Sequence, residues 1–288
     1  MKPAPFAYFA PSALDEALDI LADRRREARV LAGGQSLIPL MNFRAVSPAA
    51  LVDIGRIPGL DRIEAENGAI RVGCMVRQRA AEYAPLIGER LPLLREAIGW
   101  IGSLPVRSRG TICGSLAHAD PAAELPMVMK VLDAEILARS ATRSRTIAVE
   151  DFFRGAFVTT LAADEMIVAL RVPAMRPGAG FAFQEFAQRR GAPTIAAVAV
   201  MLERAGARCT KARIAAAGVG PVPIRLFAPE GIVERSGPSD EAIEAASELA
   251  AEMVDPISDL HASADFRRHL TQVLVKRALC AARTTPER

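Results

Sequence analysis

The sequence predicts an α+β protein. Two α/β portions fill about residues 1–56 and 57–175, and a strands-then-helices module fills 176–288. Three observations support this. Val30-Leu31-Ala32 and Leu51-Val52-Asp53-Ile54 are short apolar runs alternating with helical patterns, the α/β signature. Asn67-Gly68, between Leu60–Glu66 and Ala69–Val72, is the dipeptide favoured in type I′ hairpin turns. Beyond Arg176-Pro177-Gly178-Ala179-Gly180, the best linker, three apolar runs (181–186, 194–202, 212–218) precede two helical patterns (240–253 and 265–282).

The elements follow in order. Ser12 precedes Leu14, Ala17, Leu18 and Leu21 at helical spacing, with Asp15 and Glu16 early, so an N-capped amphipathic helix is expected to cover a sheet. Val30-Leu31-Ala32 reads as a buried strand, Gly33-Gly34 as a turn permitting positive φ or close ligand approach, and Ser36–Met41 as a short helix. Leu51–Ile54 is a second strand. Helices are expected over 75–83 and 91–100, broken at Pro85 and Pro92, with a loop over 105–110. Leu125–Leu132 is helical, Ile136, Ile147 and Val149 belong to antiparallel strands, and Glu165–Pro173 is a strand ended by proline.

Composition excludes several functions. Hydrophobic residues at 51% and charged residues at 24% of 288 describe an ordinary globular chain with room for a sizeable core. A net charge of +3 without a long basic run argues against nucleic acid; Arg24-Arg25-Arg26 reads as cations at a helix end. Cys74, Cys113, Cys209 and Cys280 form no CxxC pair and the histidines are only His118, His261 and His269, so no metal or iron–sulfur site is encoded. The N-terminus lacks a signal-peptide core and no segment is long enough to span a bilayer, so the expected location is the cytoplasm.

The chemistry concentrates in two small-residue turns. Ala32-Gly33-Gly34-Gln35-Ser36-Leu37 leaves one apolar run; Thr111-Ile112-Cys113-Gly114-Ser115 begins a second, continuing to Leu116-Ala117-His118-Ala119-Asp120-Pro121-Ala122-Ala123-Glu124. Small side chains let backbone N–H groups converge on an anion. Two such turns clamp a pyrophosphate from both sides, which points to a dinucleotide. Arg107 and Arg109 precede the second turn, either as phosphate contacts or as charges paired with neighbouring carboxylates. Gly218-Val219-Gly220 begins like a Rossmann fingerprint, but Pro221 and Pro223 prevent a helix opening there. Walker A, G-x-S-x-G and HExxH motifs are absent.

These turns resemble the two FAD-binding motifs of the flavoprotein (medium) subunits of molybdenum hydroxylases. That family includes the medium subunit of carbon monoxide dehydrogenase and the flavin domain of xanthine dehydrogenase, with the forms A-G-G-x-S-L and T-I/V-G-G-S/N followed by A-D-P-A-A-E/D. Asp259–Leu270 is similar to the family's C-terminal S-A-E/D-Y-R-x-x-L signature. The likeness spans nearly the whole chain, with three motifs in order.

The resemblance implies a vanillyl-alcohol-oxidase-type (PCMH) FAD-binding fold plus a C-terminal α+β domain, holding FAD non-covalently. Gly33, Gly34, Gln35 and Ser36 would meet the pyrophosphate, flanked by Ala32 and Leu37. Thr111, Ile112, Cys113, Gly114 and Ser115 supply the other side. Glu124 matches an acidic residue of the flavin region, with Asp120 and His118 nearby. Ile167 falls in the strand that offers a residue to the flavin. Electrons would leave a substrate at a molybdenum cofactor in a large subunit, cross [2Fe-2S] clusters in a small subunit, and reach FAD before passing to an external acceptor. The implied assembly is a dimer of heterotrimers.

Two departures stand out. Cys113 replaces a glycine of the second motif, which is compatible with negative φ and costly with positive φ. A packed thiol and a reactive one are both consistent with that position. Ala192-Pro193-Thr194 stands where relatives often place an aromatic residue over the isoalloxazine. Glu124 and Asp120 also read as loop or capping carboxylates. A free-standing flavin oxidoreductase and a flavin-free structural subunit are the alternative functions.

Overall fold

A computed structural model describes residues 2–206 and 208–284. The chain opens with a strand unmarked by any apolar alternation, Ala7–Phe9, which lies parallel to Ala50–Asp53; Ala28–Leu31 flanks that strand on the other side. Helix Leu14–Ala22 buries Ala17, Leu18 and Leu21 against this sheet. Its N-cap is Ala13 rather than the expected Ser12, and the cap position makes no side-chain hydrogen bond. Ser12, one residue before the cap, instead donates its backbone N–H to the Glu16 carboxylate at 3.1 Å.

The second portion is a five-stranded antiparallel sheet in which Met166–Pro173 sits between Ala69–Gly73 and Glu135–Arg139. Ile63–Glu66 and Ala69–Gly73 form the expected hairpin, with Asn67 at φ 47° and Gly68 at φ 77°, the two left-handed residues a type I′ turn requires. Pro85 and Pro92 do not end helices but open them, heading Pro85–Arg90 and Pro92–Ile98. Proline tolerates a first-turn position because the N–H it lacks has no intrahelical partner there. The stretch expected as a loop is helix Leu104–Arg109, again with proline in its first turn.

Thr194–Ala205 explains how the C-terminal module attaches. It is central in the sheet Gly180–Ala187, Thr194–Ala205, Arg208–Ala217, Ile224–Arg225. Ala196, Val198, Val200 and Leu202 pack with the helices Asp240–Met253 and Ala264–Thr284, whereas Ala197, Ala199 and Met201 join the core of the preceding portion. Burial on both faces is why this strand reads as a continuous apolar run. The residues around Gly178 (φ 80°) therefore form a turn between strands whose flanks share a core.

Candidate functional site

A cavity of about 560 Å³ opens between the parallel sheet, the helix beginning at Ile112 and the hairpin Phe153–Thr159. The two small-residue motifs meet there although they lie far apart in sequence. Gly33 packs so closely on the end of helix Leu104–Arg109 that a Cβ would stand 2.4 Å from the Arg109 carbonyl oxygen. That carbonyl also accepts a hydrogen bond from the Arg77 guanidinium, while Arg77 and Thr111 form a β-bridge. Gly34 adopts φ 74°, the left-handed conformation that glycine supplies without strain.

The first turn leaves its amides free. Among the described residues, none of the N–H groups of Gly33, Gly34, Gln35 and Ser36 donates to a protein acceptor, and all four residues line the cavity. Consecutive unpaired amides in a turn form an anion-binding concavity. Gly33 is buried and the other three are half-buried at the cavity wall, with Ser36 at the N-cap of helix Leu37–Asn42, so the run aims its free donors at the cavity.

The second motif differs in kind. It is not a turn leaving a strand but the start of helix Ile112–His118, with Thr111 as N-cap. The Thr111 hydroxyl accepts from the Gly114 amide at 3.0 Å, and the Thr111 carbonyl accepts from Ser115 at 3.2 Å. Glycine at 114 is required by this cap, because a Cβ would lie 2.6 Å from the Thr111 hydroxyl. The motif therefore offers the cavity the Cys113 amide, the Ser115 hydroxyl and the proton of the Thr111 hydroxyl. Cys113 is not among the residues of positive φ, which explains why a side chain is tolerated. Its thiol is 2% exposed, and burial raises its pKa, so it packs as an inert, protonated group.

The remaining expected residues divide. Ala32, Leu37 and Asp120 line the cavity, and Asp120 closes a turn by accepting from the Ala122 amide at 2.9 Å. Ile167 lines it too, placed by a register shift between Ile167 and Ala169 against strand Glu135–Arg139. Ile112 and Glu124 do not line it. Ile112 is a core residue whose amide donates to Val76. Glu124 starts helix Glu124–Val131 beside the cavity, and burial pushes its carboxyl up to about 7. Arg107 proves structural, paired with Glu82 at 3.1 Å and donating to the Ile101 carbonyl at 2.8 Å.

Gln78 and Phe157 of the cavity carry no recognisable sequence signal, whereas His118 is expected near the flavin region. Gln78, 5% exposed, lines the wall with its carbonyl oxygen unpaired. It lies 33 residues from Thr111 and reads only as a position in a helix. Phe157 and His118 stand together at the cavity, rings 5.1 Å apart. Across the seam, Glu185 on strand Gly180–Ala187 has both carboxylate oxygens buried without a hydrogen-bond partner. Burial first, and then the Glu124 charge, raise its pKa to about 8.

The third motif acts mechanically. Arg267 pairs with Asp259 at 2.8 Å and donates to the Gly218 carbonyl at 2.9 Å. The Gly218 amide donates to the Pro121 carbonyl at 2.9 Å, inside the loop between Asp120 and Glu124. The C-terminal signature thereby fixes the loop that follows the second motif.

An FAD suits these residues: unpaired amides for a pyrophosphate, hydroxyls opposite them, and an unpaired amide oxygen on an otherwise largely apolar wall. Among the described residues no cluster of His, Cys, Asp or Glu is able to hold a metal ion, and no helix is long and apolar enough to cross a membrane.

Residues 4–175 match the FAD binding domain in molybdopterin dehydrogenase, and residues 181–282 match the CO dehydrogenase flavoprotein C-terminal domain. The chain is 40% identical over 284 residues to the 6-hydroxypseudooxynicotine dehydrogenase complex subunit alpha of Paenarthrobacter nicotinovorans, covering 98% of this chain and 96% of that protein. Among solved structures, a chain of carbon monoxide dehydrogenase from Hydrogenophaga pseudoflava superposes with a TM-score of 0.97 at 35% identity, covering 99% of this chain and 100% of that one. A chain of quinoline 2-oxidoreductase from Pseudomonas putida 86 does so with a TM-score of 0.94 at 35% identity, covering 99% of each. With its glycine turn, its threonine-capped helix and matches along both halves, this chain belongs to the family of FAD-binding medium subunits of molybdenum hydroxylases.

Proposed function

We propose that this chain holds one FAD non-covalently in the cavity between the two motifs and serves as the electron-exit subunit of a molybdenum hydroxylase. The run of unpaired amides at Gly33, Gly34, Gln35 and Ser36 carries the reading. Those amides, with the Cys113 amide and the Thr111 and Ser115 hydroxyls, hold the pyrophosphate, while Ala32, Leu37 and Ile167 pack along the cofactor. Asp120 and Glu124 border the flavin region, and Ile112 supports the site from the core. FAD held here would supply both one- and two-electron chemistry, which suits a junction between iron–sulfur clusters and an external acceptor.

The partners are a large subunit carrying the molybdenum cofactor and a small subunit carrying [2Fe-2S] clusters, arranged as a dimer of heterotrimers in the cytoplasm. Names such as medium subunit and medium chain among relatives support this division of labour. Residues 1–175 form the FAD-binding domain, with subdomains at about 1–56 and 57–175, and residues 176–288 form the C-terminal domain; the separate matches at 4–175 and 181–282 support the boundary.

The test is the visible spectrum of the purified chain followed by acid precipitation. Release of FAD into the supernatant is expected. A protein that is colourless and stays so when mixed with excess FAD overturns the cofactor assignment.

A further inference from the structure

The hairpin Phe153–Thr159 holds an unusual residue over the cavity. Phe157 adopts φ 61°, a left-handed conformation disfavoured for a bulky side chain. Its amide is fixed by donating 2.9 Å to the carbonyl of Ala119, itself left-handed at φ 53° where helix Ile112–His118 ends. Core packing does not compensate the strain, because the Phe157 side chain is 58% exposed. The hairpin of Ile63–Glu66 and Ala69–Gly73 meets the same demand with Asn67 and Gly68, residue types that adopt this conformation readily. An aromatic ring is therefore kept where local structure favours glycine or asparagine, and strain of this kind gathers at ligand clamps. The ring lines the cavity together with His118, Thr159 and Leu161.

We propose that Phe157, backed by the His118 ring, is an aromatic clamp that stacks on a flat heteroaromatic ring of the bound dinucleotide. This rests on the FAD reading above. His118 suits the role because burial lowers its pKa and favours the neutral imidazole. Stacking of a base on an aromatic side chain carries about a ten-fold effect on affinity when truncated. The two rings of FAD share this chemistry, and fragments separate them: ADP carries the adenine and FMN the isoalloxazine.

The experiment uses the full chain stripped of flavin, as wild type and as Phe157→Gly, Phe157→Ala and Phe157→Tyr. Dissociation constants for FAD, ADP and FMN are measured by equilibrium dialysis, and thermal midpoints are read without ligand. Phe157→Gly is expected to leave the midpoint unchanged or higher, since strain is relieved, while FAD binds about ten-fold more weakly. Phe157→Ala weakens FAD similarly, and Phe157→Tyr stays within about two-fold. Whichever fragment loses affinity in step with FAD identifies the stacked ring. An unchanged FAD constant in Phe157→Gly, with wild type binding normally, overturns the clamp alone. So does a lowered midpoint with unchanged affinity, the signature of a merely structural ring. Wild type that binds no FAD overturns the cofactor reading and the clamp with it.

Discussion

The junction around Arg225 and the cavity around Gly33–Ser36 are both buried polar regions joining distant parts of the chain, and they differ in whether their polar groups already have partners. Arg225, with 4% of its side chain exposed, donates to the Lys130 carbonyl and to Asp133 at 2.9 Å each, and pairs with Glu230. Glu230 accepts from the Ile214 amide at 2.7 Å, while Asp133 also receives Lys211 at 3.1 Å and Arg213 at 3.2 Å. This network locks the end of helix Glu124–Val131 to the C-terminal sheet through charges that are paired with one another. The cavity instead presents unpaired amides and the bare oxygen of Gln78.

Two buried glutamates show the same contrast. Glu165 accepts from Arg143, Arg145 and the Ala162 amide, which hold its carboxyl down to about 2. Glu185 has no arginine or amide donor, and burial, followed by the Glu124 charge, drives its pKa the other way against only the Thr194 hydroxyl. Burial alone therefore does not set a carboxyl's charge; the donors that reach it do, and the satisfied Glu165 lines the cavity as an anion.

Breaking the saturated region gives the largest expected effect. Arg225→Ala strands Glu230, whose pKa burial already raises despite the arginine, and is expected to cost about 3–5 kcal/mol. Chemical denaturation measures this loss, and the surviving folded fraction should bind FAD normally. A variant as stable as wild type would show that the junction is not structural. In the cavity, Gly33→Val drives a side chain against the Arg109 carbonyl and separates the two motifs. FAD affinity should fall at least about 100-fold, near 2.7 kcal/mol, against a smaller change in thermal midpoint; retained yellow colour on gel filtration would contradict this.

A gentler test uses pH. Glu124 and Glu185 hold their protons to about pH 7 and 8, whereas in the unfolded chain they release them near the ordinary value of 4.5. Their contribution to stability is thus full below about pH 4.5 and is lost as pH rises through 7 to 8. The thermal midpoint should fall by several degrees between pH 5 and pH 9, and Glu185→Gln should flatten that slope; an equal slope in the variant would remove Glu185 as its source. The smallest effect is expected at Cys113. Cys113→Gly introduces glycine into a helix whose amide geometry already suits the cofactor, so FAD affinity should stay within about three-fold while stability falls by up to about 1 kcal/mol. A large gain in affinity would show instead that the cysteine obstructs the site.

Much of this was legible in the residues. Asn67-Gly68 announced its hairpin because the turn type depends on those two backbones alone. The apolar run from Thr194 to Leu202 announced a strand, although only packing showed that its alternate residues serve two cores. Family motifs brought Gly33–Ser36 and Thr111–Ser115 together as expected neighbours, and all of these residues but the core Ile112 line the cavity. Errors arose where one residue type has two local uses. Pro85, Pro92 and Pro105 stop a helix or start one, and the chain uses them as starts. Ser12 has the right side chain for a cap, but its backbone partner is Glu16.

Sequence alone determined some local conformations and the residue chemistry: Asn67-Gly68 and Gly34 where the chain turns left-handed, Thr111 where a helix starts, apolar periods where a core forms. These depend on groups a few residues apart. Tertiary structure alone decided which polar groups stay unpaired. Gly33 is tight because Arg109 backs onto it, Glu165 is satisfied because Arg143 and Arg145 reach it from distant positions in the chain, and the left-handed Phe157 has its amide held by Ala119. Satisfaction of a hydrogen bond is a property of neighbours in space, and those neighbours lie tens of residues away along the chain.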